Sequence, residues 1–289
     1  MLSKISILCF AASYGAALGL ECTRLLFRSR LRATALLGFV VAGLFAHTVF
    51  LLYQGANYYS RPPLSSTQHW YLAAAWLLAA VYLYLTLWRP GVQFGLFFLP
   101  LVLGLIGVGT FLASPEPGDA PIQLWGLIHG GSMLLATVSV LVGVASGLMY
   151  LGQSRRLKHK LPPLQQGLRL PSLEWLQQAN SHALRLALAM VGVSIVSGVI
   201  LNVIRRGPEG APLRWSDPVV LSTLAMFAWL AASTAVGLFH KSAREGRKVA
   251  YFTLLSACFL AIALAVVLAA GTEHGAKRPP AASSEAEAS

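Results

Sequence analysis

Seven histidines are the residues best suited to carry chemistry in this 289-residue chain. No nucleotide loop, zinc-protease motif or Ser/His/Asp constellation accompanies them, and carboxylates are almost absent from the apolar runs. That shortage argues against an acidic proton or cation relay. It leaves neutral imidazole, the commonest protein ligand for metals and for haem iron. Four histidines lie in or at the ends of apolar runs. His47 stands in Gly43-Leu44-Phe45-Ala46-His47-Thr48, His129 in Leu127-Ile128-His129-Gly130-Gly131-Ser132, His240 after Gly237-Leu238-Phe239, and His274 in Gly271-Thr272-Glu273-His274. An ionisable residue inside a membrane is a functional candidate by default. The plainer alternative is a core histidine bonded to a neighbouring helix for His47, and an interfacial side chain for His240 and His274. His159 in a basic run, His69 at a helix mouth and His182 in a polar stretch read as solvated, structural residues.

The surroundings of these histidines add detail. Gly130 and Gly131 remove side chains where a planar macrocycle would need close approach to the backbone, although small residues also serve ordinary helix packing. The segment from Arg205 to Pro218 brings Arg205, Arg206 and Arg214 together with Trp215 and Asp217. Arginines there suit ligand carboxylates such as haem propionates; an aromatic and basic interface anchor is the alternative. Cys9, Cys22 and Cys258 stand singly and form no CxxC pair, so neither a disulfide framework nor thiol-redox chemistry is indicated.

The elements that must hold these residues are apolar helices. Hydrophobic residues make up 56% of the chain and charged residues 11%, which no single soluble globule combines with runs long enough to cross a bilayer. Run length places spans at 5–20, 33–53, 70–88, 94–113, 124–151, 186–204, 219–239 and 249–270. The expected fold is therefore all-α, a polytopic membrane bundle of about eight transmembrane helices occupying residues 1–270. The first run is expected to be a retained helix rather than a cleaved signal, since no clean small-residue cleavage site follows it. Residues 152–185 are expected to form a cytoplasmic connector, with Ser172 capping a helical stretch before Glu174 and Trp175, and to divide five spans from three. Residues 275–289 read as a disordered polar tail.

The net charge of +12 points to orientation and not to nucleic acid. On this topology one side holds 15 basic and 3 acidic residues, among them Arg24, Arg28, Arg89, Arg155, Arg156, Lys158, Lys241 and Arg247, while the other holds 7 of each. The basic side is expected to face the cytoplasm, with both termini outside, and to attract anionic lipid. At a rise of about 1.5 Å per residue, His47 and His129 then lie roughly 10 Å and 8 Å below the outer surface. With His274 they would form an outer group, and His240 would lie alone at the inner edge.

With these residues placed, the chain resembles the cytochrome c assembly protein family, the haem-handling membrane proteins, most nearly its eight-span, HemX-like members. The resemblance rests on Leu127-Ile128-His129-Gly130-Gly131-Ser132-Met133 opening a long span that ends in Tyr150-Leu151-Gly152-Gln153. It rests also on Pro171-Ser172-Leu173-Glu174, on Trp215-Ser216-Asp217-Pro218, and on Gly237-Leu238-Phe239-His240 with Gly246-Arg247-Lys248-Val249-Ala250. It implies that His129 and His274 are outer ligands of haem b iron and that His240 belongs to an inner haem site. His47 is similar to a second-span histidine of the HemX-like branch. Trp215 and Asp217 would belong to a ring-covering platform, and Arg205, Arg206 and Arg214 would meet the propionates. The family's haem-handling loop carries several tryptophans and a Trp-Asp pair; here Ser216 separates Trp215 from Asp217. The implied role is haem handling in cytochrome c biogenesis at a bacterial plasma membrane, with maturation components or apocytochrome c as partners, and accessory rather than catalytic. A HemX-like regulatory factor of tetrapyrrole supply, or a structural subunit of a larger membrane complex, remain the other readings.

Overall fold

A computed structural model of the chain describes residues 6–23, 30–57, 66–114, 124–158, 169–204, 215–239 and 246–269. The described residues form an all-α bundle of eight helices: α1 Ile7–Thr23, α2 Arg30–Asn57, α3 Thr67–Trp88, α4 Gly95–Phe111, α5 Leu124–Lys158, α6 Leu173–Ile204, α7 Pro218–Phe239 and α8 Gly246–Ala269. Six of them are long and apolar enough to cross a membrane; α1 and α4 are shorter apolar helices of 17 residues each. Their ends carry recognisable signals. Ser66 accepts the His69 N–H at 3.0 Å and starts α3, which stops just before Arg89-Pro90-Gly91 because proline disfavours helix in the residue preceding it. Ser172 accepts the Trp175 N–H at 3.4 Å at the start of α6. Asp217 accepts the Val219 N–H at 2.8 Å and precedes Pro218, the first residue of α7. Acidic caps and a first-turn proline suit a helix start.

Contacts between helices fix their relative directions. Phe10 stacks on His47, and a methyl group at Gly43 would stand 3.0 Å from the Tyr14 ring, so α1 and α2 run antiparallel. Trp76 donates to Thr48 and His69 bonds Gln54, which makes α3 antiparallel to α2. Gly143 abuts Asn180 and Thr253, Gly147 abuts Ala250, and His129 reaches Ser194. Both α6 and α8 are therefore antiparallel to α5. The Tyr71 hydroxyl donates to the Leu264 carbonyl, bringing the start of α3 to the end of α8. The start of α1 and the end of α8 consequently share one end of the bundle, together with the start of α5. The opposite end carries the described basic residues Arg32, Arg89, Arg155, Arg156, Lys158 and Arg169.

The core has two centres. One gathers Phe10, Tyr14, Leu72, Leu78, Phe94 and Phe98 with Met149 and Leu176; the other gathers Ala136, Val140, Val191, Met226, Leu230 and Leu260. Helix α5 feeds both and so joins them. The segment expected to divide five spans from three is more helical than a connector: α5 continues through Lys158 and α6 begins at Leu173. Arg185 lies well inside α6 and turns back, its Nε donating to the Ser181 carbonyl at 3.2 Å, as long cationic side chains do below an interface.

In lipid, helices associate through close packing and interhelical hydrogen bonds rather than through hydrophobic transfer. Bonds of this kind between side chains include Trp76 Nε1 to Thr48 Oγ1 at 2.8 Å, Thr253 Oγ1 to Asn180 Oδ1 at 2.7 Å, and Trp229 Nε1 to Ser256 Oγ at 3.1 Å. Each contributes about 0.6–2 kcal/mol. Glu21, one residue beyond the expected first span at 5–20, is a buried residue of α1. Its Cγ comes within 3.0 Å of where a Gly95 Cβ would stand, and the Tyr82 hydroxyl within 2.9 Å. Phe94 gives α4 no side-chain cap, so a carboxylate at this helix start meets the positive end of the α4 dipole.

Candidate functional site

His129 lies half-buried in the second turn of α5. Its Nδ1 donates to the Ser194 carbonyl of α6 at 2.8 Å, with Ser194 Oγ 3.1 Å away. A carbonyl only accepts, so the proton is on Nδ1 and the lone pair is on Nε2. A ligand histidine is oriented in this way, with its second nitrogen tied to a backbone carbonyl. Gly198 makes the approach possible, because a methyl group there would stand 3.1 Å from His129 Cε1. Ser194, Ser197 and Gly198 present small residues on one face of α6, and Ser197 turns its hydroxyl to the Val193 and Ser194 carbonyls. Around His129, a Cβ added at Gly126, Gly130 or Gly131 would meet nothing within 4 Å among the described residues. Among the described residues, these glycines therefore take no part in tight helix packing and leave this face of α5 open.

His47 has a different setting. It is fully buried between α1 and α3. The Phe10 ring lies over it at 4.0 Å between centroids and 4° between planes, and Tyr14 is 6.2 Å away. Neither ring nitrogen makes a hydrogen bond, nor does the Tyr14 hydroxyl. The Leu72 backbone is the polar group that interacts with the imidazole, short of well-formed hydrogen-bond geometry. Among the described residues α2 packs only against α1 and α3, and α5 only against α3, α4, α6 and α8. His47 and His129 thus belong to separate helix contacts. No group of three or more histidine, cysteine or carboxylate side chains suited to a metal ion occurs among the described residues.

Of the remaining candidates, Trp215 is exposed and Asp217 is buried as the cap of α7, a helix that packs on α6 and α8. His274, His240, Arg205, Arg206 and Arg214 lie outside the described residues, as do His159 and the 275–289 tail. The helix preceding His274 is informative all the same. Gly143 faces Thr253 and Gly147 faces Ala250; continued at equal rise, this register brings roughly Val267 level with His129. His69, expected to be solvated, is half-buried and bonded to Gln54 of α2; His182 is exposed.

Sequence reasoning overlooked Ser194 and Gly198, whose signal is the spacing of small residues at 194, 197 and 198 opposite a histidine-bearing helix. It also overlooked Asn180, a buried amide that takes the Thr253 hydroxyl beside Gly143. Its signal is a lone asparagine in a run that otherwise reads as a polar lead-in. Compared with family models, curated proteins and solved structures, the chain matches none.

Proposed function

We propose that this membrane protein binds haem b through His129 and assists cytochrome c biogenesis by holding haem at the end of the bundle where α5 begins. The observation that carries the reading is the His129 tautomer, fixed by the Ser194 carbonyl, beside the open surface left by Gly126, Gly130 and Gly131. Imidazole chemistry and room for a flat ring fit haem at this position. His274 is the second ligand that the reading favours, since α8 runs back along α5 to the level of His129. Trp215 is assigned to the ring by family resemblance, and Arg205, Arg206 and Arg214 to the propionates by their charge. Haem, when bound, would supply redox chemistry at its iron and covalent attachment through its vinyl groups; the chain would supply ligation and orientation. Ser194 holds the imidazole plane, Gly198 sets its distance from α6, and Asp217 positions Trp215 by starting α7. A bacterial plasma membrane, and maturation components or apocytochrome c as partners, complete the proposal.

The test is the absorption spectrum of the full chain, purified in mild detergent after haem-sufficient expression. A Soret band that disappears in His129→Ala supports the reading. No band in the wild type, and no haem uptake on titration, overturns it. A regulatory reading has one observation of its own, the extension of α5 that carries Arg155, Arg156 and Lys158 past the apolar run. It requires charge neutralisation there to damage function more than His129→Ala does.

A further inference from the structure

Buried polar atoms in proteins nearly always have partners, and each one left alone costs about 1–3 kcal/mol. Around His47 three lack a well-formed hydrogen bond together: both imidazole nitrogens, with only the Leu72 backbone near them, and the Tyr14 hydroxyl, all without solvent contact. The ring that closes the locus, Phe10, makes no use of them. It lies flat on the imidazole at 4.0 Å and 4°, a position for a planar six-membered ring filled by one that neither donates nor accepts.

We infer that the α1–α2–α3 junction at His47 is a second binding site, closed by Phe10, for the planar head group of a lipid-soluble quinone. Three features select that class. The unmatched groups are a neutral imidazole, with one donor and one acceptor, and a phenol, which does both. Together they satisfy the carbonyl oxygens of a quinone or the hydroxyls of its reduced form. Among the described residues, Phe10, Tyr14 and the Leu72 backbone meet the imidazole, with Ser13 beside Gly43 and Phe50 against Phe10. None is charged, which disfavours ions, nucleotides and the propionates of haem. Leu8, Phe45 and Leu52 are exposed apolar side chains of α1 and α2, so the approach is from hydrocarbon and an isoprenoid tail stays there. The inference does not rest on haem binding at His129.

The test uses the full chain in detergent, titrated with decylubiquinone and separately with menadione. Binding is followed by quenching of tryptophan fluorescence, to which Trp76, bonded to Thr48 beside His47, contributes. The wild type is expected to quench saturably. Phe10→Ala should bind about tenfold more tightly by removing the occluding ring, and Tyr14→Phe and His47→Phe about five- to tenfold more weakly, the scale of one or two lost hydrogen bonds. His129→Ala should bind as the wild type does. If Phe10→Ala does not fold, Phe10→Leu, which keeps bulk without a flat face, must shift affinity in the same direction. Non-saturating quenching, or equal quenching in all variants, means partition into the micelle and overturns the inference. Loss of a Soret band in His47→Phe makes His47 a haem ligand and overturns it too. Failure of quinone binding with an intact, His129-dependent Soret band leaves the haem reading standing.

Discussion

His47 and His129 both occupy the half of the bundle where α3 and α5 begin, yet His47 is fully buried beneath Phe10, while His129 is half-buried and bonded to Ser194. The first has an aromatic ring across its face and unpaired nitrogens. The second has one nitrogen assigned by a backbone carbonyl, beside helix surface stripped of side chains. Burial alone, the usual mark of an important intramembrane residue, therefore says nothing of which imidazole has its tautomer assigned. What separates them is which neighbour is small. At Gly43 a missing side chain admits Tyr14 and closes the packing; at Gly198 it admits the imidazole itself, and at Gly130 it admits nothing from the described chain.

The comparison breaks most directly on the spectrum. His129→Ala should remove most of the Soret absorbance of purified protein, whereas His47→Ala should leave it within about a quarter of the wild-type value once folded protein is matched by circular dichroism. Reversed results would exchange the two assignments. A smaller effect is expected at the glycine that closes the His47 site. Gly43→Val drives a branched side chain into the Tyr14 ring and should cost about 1–3 kcal/mol of stability, read as a lower detergent-unfolding midpoint with unchanged haem per folded chain. Asp217→Ala removes the cap of α7 and should cost about 1 kcal/mol. It should leave the Soret maximum in place, and a shifted maximum would put this carboxylate next to the ring. The smallest effect belongs to Gly130→Ala, where a methyl group meets nothing: thermal stability should rise or hold within about 1 kcal/mol. A loss larger than that would mean the α5 surface is packed after all.

The eight helices were legible because apolar run length is the one property lipid enforces on every span. Capping at Ser172 was legible for a similar reason, since a serine before Leu-Glu-Trp has one common use at a helix start. The continuation of α5 to Lys158 was not, because Gln153, Arg155 and Arg156 end the apolar signal while remaining good helix formers. Helix adjacency was equally hidden. The calculated depths of His47 and His129 agreed, but depth fixes only one coordinate, and which helices touch depends on small-residue faces such as Ser194–Gly198 rather than on hydropathy. His69 was misjudged because its polar neighbours suggested water, when the partner it needed was Gln54 on another helix. Glu21 fell just outside the expected first span because a carboxylate ends an apolar run; the start of α4 supplies its electrostatic partner.

Helix α5 runs 35 residues without a proline, a rod about 52 Å long against a hydrocarbon layer of about 30 Å. Its excess length stands on the side of Arg155 and Arg156, with His129 near the other extremity. Such a rod is a lever. A tilt of about 5° around its middle moves each tip by about 2 Å, comparable to the contact that seats His129 on α6. A tilt of α5 imposed at its charged tip would therefore shift the imidazole some 40 Å away without touching it.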